Sequence, residues 1–160
     1  VHNQGSMPGM NMLVDIGNGT MSILEIHDGR PMENSISTEV FGVHQCMEKI
    51  QKEVSKHSGV EVPEMLIEPL LRNGIGDRTD AVAMTTKRIA ENYTAEIMKK
   101  LIAHGYREEL VHLYIIDGGG CLLQNFSDLT AKPEVTVITD ICANAKGYEA
   151  LAMMKQRMRG

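Results

Sequence analysis

The sequence predicts an α/β domain built on a mixed sheet, with three antiparallel strands at its N-terminal end and helices flanking it. Three observations carry this expectation. Short stretches rich in β-branched and apolar residues lie at 12–16, 20–27, 30–40 and 113–116, with the length and composition of strands. Two glycine-containing turns, Gly17-Asn18-Gly19 and Asp28-Gly29, join the first three stretches too tightly for anything but antiparallel pairing. After them, amphipathic stripes of period three and four run over 43–56 and 79–104, and further single strands follow the helices. At 160 residues the chain is long enough to bury one ordinary core.

Taken in order, the second strand has Met21 and Ile23 on one face and Leu24 and Ile26 on the other, as expected for a sheet covered on both sides. The third, 30–40, alternates Met32 and Ile36 with polar neighbours. The first helix places Met47, Ile50 and Val54 on one stripe, and Gly59 can cap its C-terminus. Pro63 opens a short helix over 64–72 with Leu66, Ile67, Leu70 and Leu71 on one side, in which Pro69 should tighten or break a turn. The segment 73–77 reads as a flexible loop. The long helix 79–104 aligns Val82, Thr86, Ile89, Tyr93, Ile97 and Leu101 towards the sheet. Thr79 is its expected N-cap, Gly105 its stop, and Glu96 with Lys100 an outer-face pair. A strand at 135–139 and a helix from about 144 complete the chain.

Composition narrows the function. A net charge of −5 gives no reason to expect direct binding to nucleic acid or anionic lipid. No charged and apolar N-terminal leader and no apolar run of about 18 residues is present, so a cytoplasmic protein without a membrane span is expected. Cys46, Cys121 and Cys142 lack metal spacing and suit a reducing compartment as small buried hydrophobes. The six histidines are scattered, the twelve methionines read as core filler, and the basic run 155–159 reads as cations at a helix C-terminus. No Gly-x₄-Gly-Lys-Ser/Thr loop and no Gly-x-Gly-x-x-Gly after a strand is found.

Chemistry concentrates in three segments. In 13–24 an apolar strand ends on Asp15, turns through Gly17, Asn18 and Gly19, and leaves through Thr20 into a second strand. A carboxylate at a strand end can hold Mg²⁺ through water. The two glycines leave the backbone open to a phosphate, and the turn's N–H groups and the Thr20 hydroxyl can face its oxygens. An ordinary hairpin is the simpler alternative. In 113–123 a strand runs through Asp117 into Gly118, Gly119 and Gly120, a triplet that marks close approach of the backbone to something flat or bulky. The third is a strand at 135–139 followed by Ala143-Asn144-Ala145-Lys146-Gly147-Tyr148, small residues where a helix must pack closely.

In this order the three segments resemble the second half of an actin-like ATPase, nearest the ParM/StbA type that segregates bacterial plasmids. Asp15 to Thr20 is similar to that family's second phosphate motif, Gly118 to Gly120 to its adenosine motif, and 143–148 to the start of its second connecting helix. The family more often has an apolar residue where this chain has Asp117. The resemblance implies a ribonuclease-H-like, actin-type domain with a small helical insertion at about 43–78. It also implies a cleft for ATP or GTP with Mg²⁺. Asp15 would order a Mg²⁺-bound water and act catalytically. Gly17, Asn18, Gly19 and Thr20 would donate to the β- and γ-phosphates, and Gly118, Gly119 and Gly120 would floor the adenosine.

The family's first phosphate hairpin and its water-positioning residue are not in this chain, so the chain is expected to be inactive alone. Its expected partners are a missing N-terminal half-domain, further copies in a filament of the parent, and a DNA adaptor protein. Two other readings stay open: a non-catalytic filament or interaction domain, and half of a related sugar or small-acid kinase.

Overall fold

The computed structural model describes residues 7–138. The expected motif at 143–148, the helix from 144, Thr139 and Cys142 lie outside the described residues. Among the described residues six strands form one sheet in the order β3 (Arg30–Pro31), β2 (Met21–His27), β1 (Met10–Ile16), β5 (Val111–Ile116) and β6 (Val135–Ile138), with β4 (Ser37–Glu39) also paired to β2. Strand β1 (Met10–Ile16) is antiparallel to β2 (Met21–His27) and parallel to β5 (Val111–Ile116). Strand β6 (Val135–Ile138) extends the sheet, parallel to β5. The alternation read from the sequence decides the core face. Met12, Val14, Ile16, Met21, Ile23, Leu113 and Ile115 are all at most 2% exposed and form one cluster with residues of every helix. Leu13, Leu24 and Tyr114, on the opposite face, are only half-buried among the described residues.

The third strand is not continuous. Asp28 and Gly29 both take positive φ, the geometry of a two-residue hairpin, and deliver β3 (Arg30–Pro31) to the edge of β2. The chain then leaves the ladder, with Asn34 at φ 60 and the Ser35 N–H and hydroxyl both donating to the Met32 carbonyl. It rejoins β2 as β4 (Ser37–Glu39) in a shifted register. The expected single strand 30–40 is therefore broken, and Pro31 explains where. It has no N–H to give a ladder and is confined to an edge.

Helix α1 (Val43–Ser58) buries Cys46, Met47, Ile50 and Val54 and ends on Gly59 at φ 70. Burial pushes the Cys46 thiol up to about 12, so it stays a neutral hydrophobe. Helix α2 (Glu64–Asn73) runs through Pro69 without a break. Pro69 is the sixth residue of the helix and forfeits the bond its N–H would give to the Met65 carbonyl, yet the helix continues to Asn73. Helix α3 (Ala81–Ala103) starts one residue later than expected, because Asp80 rather than Thr79 caps it by accepting from Ala83 N–H at 3.1 Å. Its buried face includes Ala83, Ala90 and Thr94 beside the expected Thr86, Tyr93, Ile97 and Leu101. No helix among the described residues is long and apolar enough to cross a membrane.

The expected Glu96–Lys100 pair does not form. Glu96 accepts from Lys49 of α1 at 3.1 Å, and Lys100 donates to Glu39, which also takes His104 Nε2 at 3.0 Å. Between these two links, Phe41 stacks on Tyr93 with centroids 4.3 Å apart, Lys49 lies 5.0 Å from the Tyr93 centroid, and Lys100 lies 4.7 Å from that of Phe41. Bonds between elements replace a bond along one helix, and they clamp the β4–α1 connection against α3. Helix α4 (Gly119–Phe126) begins inside the glycine triplet. A Cβ on Gly119 would sit 2.3 Å from the Cβ of Ile16, and one on Gly120 would sit 2.7 Å from Val137 Cγ1.

Two outcomes follow for stability. Gly119→Ala should cost about 3 kcal/mol, since the clash is with a Cβ anchored in the central strand. Gly118→Ala, whose added Cβ would meet nothing closer than 4.0 Å, should stay within about 0.5 kcal/mol. Urea unfolding of the two variants makes the comparison. The second concerns acid. Hydrogen bonds from Lys100 and His104 hold the Glu39 carboxyl below its ordinary value of 4.5. Its contribution is therefore complete above that value and is lost as pH falls through the lower, folded-state value. In denaturation midpoints taken from about pH 6 down to about pH 3, Glu39→Gln should be the less stable protein at the upper end and converge with wild type at the lower. Parallel curves would show that the Glu39 charge contributes nothing.

Candidate functional site

The site is built from the carboxyl ends of two parallel strands. The β1–β5 register sets Asp15 opposite Ile116, so the turn after β1 and the glycine triplet after β5 emerge side by side at one edge of the sheet. Asp15 is half-buried, and Asn18, Gly19 and Thr20 are exposed. Ligands in open α/β sheets bind beyond such strand ends.

The turn is not the hairpin that an Asn-Gly pair usually makes. Gly17 N–H donates to the Thr20 carbonyl at 2.9 Å, but neither Asn18 nor Gly19 takes the positive φ that the common two-residue hairpin needs. The conformation is imposed from outside. The first two amides of α1, Val43 and His44, donate to the carbonyls of Gly17 and Asn18 at 3.0 and 2.8 Å. These amides are donors that a helix N-terminus leaves without an intrahelical partner. A trans peptide holds its C=O and N–H on opposite sides. Drawing both carbonyls towards α1 therefore turns the N–H groups of Asn18 and Gly19 outward. Neither N–H enters a turn or cap hydrogen bond among the described residues.

Gly42 makes this contact possible. A Cβ there would lie 2.4 Å from the Asn18 oxygen and 2.6 Å from that of Gly17. Its N–H is taken by Gln45 Oε1 at 2.7 Å, and its carbonyl accepts from the buried Tyr93 hydroxyl at 2.8 Å. Desolvation pushes the Tyr93 phenol well above its usual range, so it remains a donor. The sequence reading passed over Gly42. The available signal was a glycine immediately before an amphipathic helix with Gln three residues on.

The glycines divide by duty. Gly17 spends its N–H inside the turn, and a Cβ on it would lie 3.4 Å from Asp117 Oδ2. Gly19 has nothing within 4 Å of where a Cβ would stand, leaving room above the two outward amides. Gly118 is likewise open, at the N-cap of α4, whereas Gly119 and Gly120 are buried against Ile16 and Val137. The bulky object that the triplet approaches is thus partly the protein's own sheet. Asp117, between strand and helix, is left-handed at φ 69 and accepts from Gly118 N–H through Oδ1 at 2.8 Å.

Among the described residues no three His, Cys, Asp or Glu side chains converge as metal ligands. The donor set nonetheless suits Mg²⁺, which keeps several waters and takes one or two carboxylates together with phosphates. The groove of about 360 Å³ between α1 and α3, lined by Lys49, Lys52, Lys56, Arg88 and Tyr93, shares no residue with this edge.

Known structures share this arrangement of strands and helices. The chain superposes on an archaeal actin homologue, Ta0583, with a TM-score of 0.69 and 19% identity over 93% of this chain and 50% of that one. A non-polymerisable quadruple mutant of pCBH ParM gives 0.70 and 20%, covering 91% of this chain and 47% of that. Bacillus thuringiensis ParM with ATP gives 0.63 and 15%, covering 88% and 44%. The chain thus spans about half the length of the structures it matches. No curated protein sequence matches it. The family model for the C-terminal domain of MreB-like archaeal actin homologues matches residues 13–127, which takes in both the Asp15 turn and the glycine triplet. The fold is that of an actin-type, ribonuclease-H-like half with an open mixed sheet, and the chain belongs to the family of MreB-like archaeal actin homologues, as their C-terminal domain.

Proposed function

We propose that this chain is the nucleotide-binding second half of an actin-like ATPase of the filament-forming type that moves plasmids or other DNA. The observation that carries this reading is the pair of outward amides at Asn18 and Gly19, set beside Asp15 and Gly118 at one sheet edge. Similar structures are described with ADP, for Ta0583, and with ATP, for Bacillus thuringiensis ParM. Oriented N–H groups at a turn form a small anion-binding concavity that needs no cationic side chain.

In this reading the Asn18 and Gly19 amides and the Thr20 hydroxyl donate to phosphate oxygens. The Asp15 carboxylate fixes the water shell of the cation, and the open Gly118 backbone supports the adenosine. A bound Mg²⁺ would supply charge neutralisation on the phosphates. Gly17 serves by shape more than by donation, and Gly119 and Gly120 hold α4 against the sheet so that the floor stays in place. The helical segment at about 43–78 is the small insertion of this half, tied to the turn through α1. The other half supplies the first phosphate hairpin and the residue that positions water, so this chain alone should release no phosphate above background. Filament partners and a DNA adaptor belong to the assembled protein.

Gly19→Val separates this reading from a purely structural one. It fills the open space above the amides without a clash or a positive φ. In the full-length polypeptide that carries this chain, the variant should keep its melting temperature and lose at least about tenfold in affinity for Mg²⁺ and ATP by calorimetry. Unchanged affinity would remove the turn from the site. Tyr93→Phe, which touches no ligand, should weaken binding severalfold and destabilise the fold by about 1 to 2 kcal/mol, because it strands the buried Gly42 carbonyl.

A further inference from the structure

We propose that Asp117 makes nucleotide binding at this edge conditional on a divalent cation, by fixing a negative charge between the phosphate turn and the start of α4. The proposal rests on the nucleotide reading above. Three features of the residue lead to it. Its carboxylate is held in place, with Oδ1 accepting the Gly118 amide at 2.8 Å and the backbone in the left-handed region at φ 69. Its other oxygen faces Gly17, 3.4 Å from where a Cβ would stand, and so borders the turn whose next two amides point outward. It is exposed, and among the described residues it takes part in no ion pair and no cation cancels it.

The cap and the left-handed backbone do not by themselves call for a charge. Asparagine accepts the same hydrogen bond and enters the left-handed region as readily. The charge has a separate consequence. A nucleotide phosphate at the turn brings several negative charges next to a carboxylate that the Gly118 amide holds beside it. Two like unit charges about 6 Å apart weaken association by between about threefold and about a hundredfold, for effective dielectrics from water to a protein surface. A divalent cation between them reverses the sign of the interaction. Asp117 therefore penalises the free nucleotide and spares the metal complex, and it acts as a specificity-determining residue rather than as part of the turn's donor set.

The test measures ADP affinity in the full-length polypeptide carrying this chain, with excess Mg²⁺ and with EDTA, for wild type and Asp117→Asn. ADP is used so that turnover does not intrude. Wild type should lose at least about a hundredfold in EDTA, and Asp117→Asn should shrink that ratio at least about tenfold at unchanged melting temperature. Should the Asn variant fold poorly, Asp117→Gly, which suits the same backbone, is judged by the same ratio. Equal ratios in variant and wild type would reduce Asp117 to a helix cap and overturn the proposal, while wild-type binding of Mg²⁺ and ADP would keep the nucleotide reading intact. Failure of wild type to bind ADP under either condition would overturn both.

Discussion

The two hydrogen bonds from the first amides of α1 to the carbonyls of Gly17 and Asn18 govern the rest of the site. Each contributes about 1 kcal/mol, a minor share of stability. Their effect is directional. They decide which way two peptide planes face, and planarity then sends the opposite edges of those planes to the outside. The turn is consequently held by a helix rather than by its own sequence. That helix is held in turn by the Tyr93 hydroxyl on Gly42 and by the Phe41–Tyr93 stack between Lys49 and Lys100. Helix α3, far away in the chain, thereby positions the amides at the sheet edge.

The second constraint is the parallel pairing of β1 with β5. It places Asp15 and Ile116 in register, and everything that follows either strand must share one edge. Helix α4 can start there only because Gly119 and Gly120 let its backbone lie directly on Ile16 and Val137. The triplet therefore combines two requirements, with buried glycines that set the helix down and an exposed one, Gly118, that borders the open edge. The family match spanning both segments agrees with a unit in which turn and helix start are kept together.

Much of this was legible in the sequence, because the features concerned are local. Among the described residues periodicity located the long helices α1 and α3, Gly59 closed α1 where expected, and the Asp28-Gly29 hairpin formed with both residues at positive φ. What the sequence concealed depends on partners distant in the chain. Glu96 sits four residues before Lys100 on one helix, yet each found a better-placed partner on another element, Lys49 and Glu39. The expected strand 30–40 breaks just after Pro31, which has no N–H for a ladder. Asp80 displaced Thr79 as the cap by one residue, a choice settled by local backbone geometry. At the site, the residue types pointed to phosphate chemistry, but the signal at Gly42, a glycine before a helix with Gln three residues on, says nothing of what the glycine approaches. Its necessity arises from carbonyls more than twenty residues earlier.

The central claim is that α1 orients the turn so that the Asn18 and Gly19 amides are free to bind an anion. Residue-resolved amide hydrogen exchange on the full-length polypeptide, without nucleotide and then with Mg²⁺ and ADP, tests it most directly. On this account Val43 and His44 are protected in both states, while Asn18 and Gly19 exchange rapidly in the first and become protected in the second. Protection of Asn18 and Gly19 without nucleotide, or rapid exchange that nucleotide leaves unchanged, would contradict it.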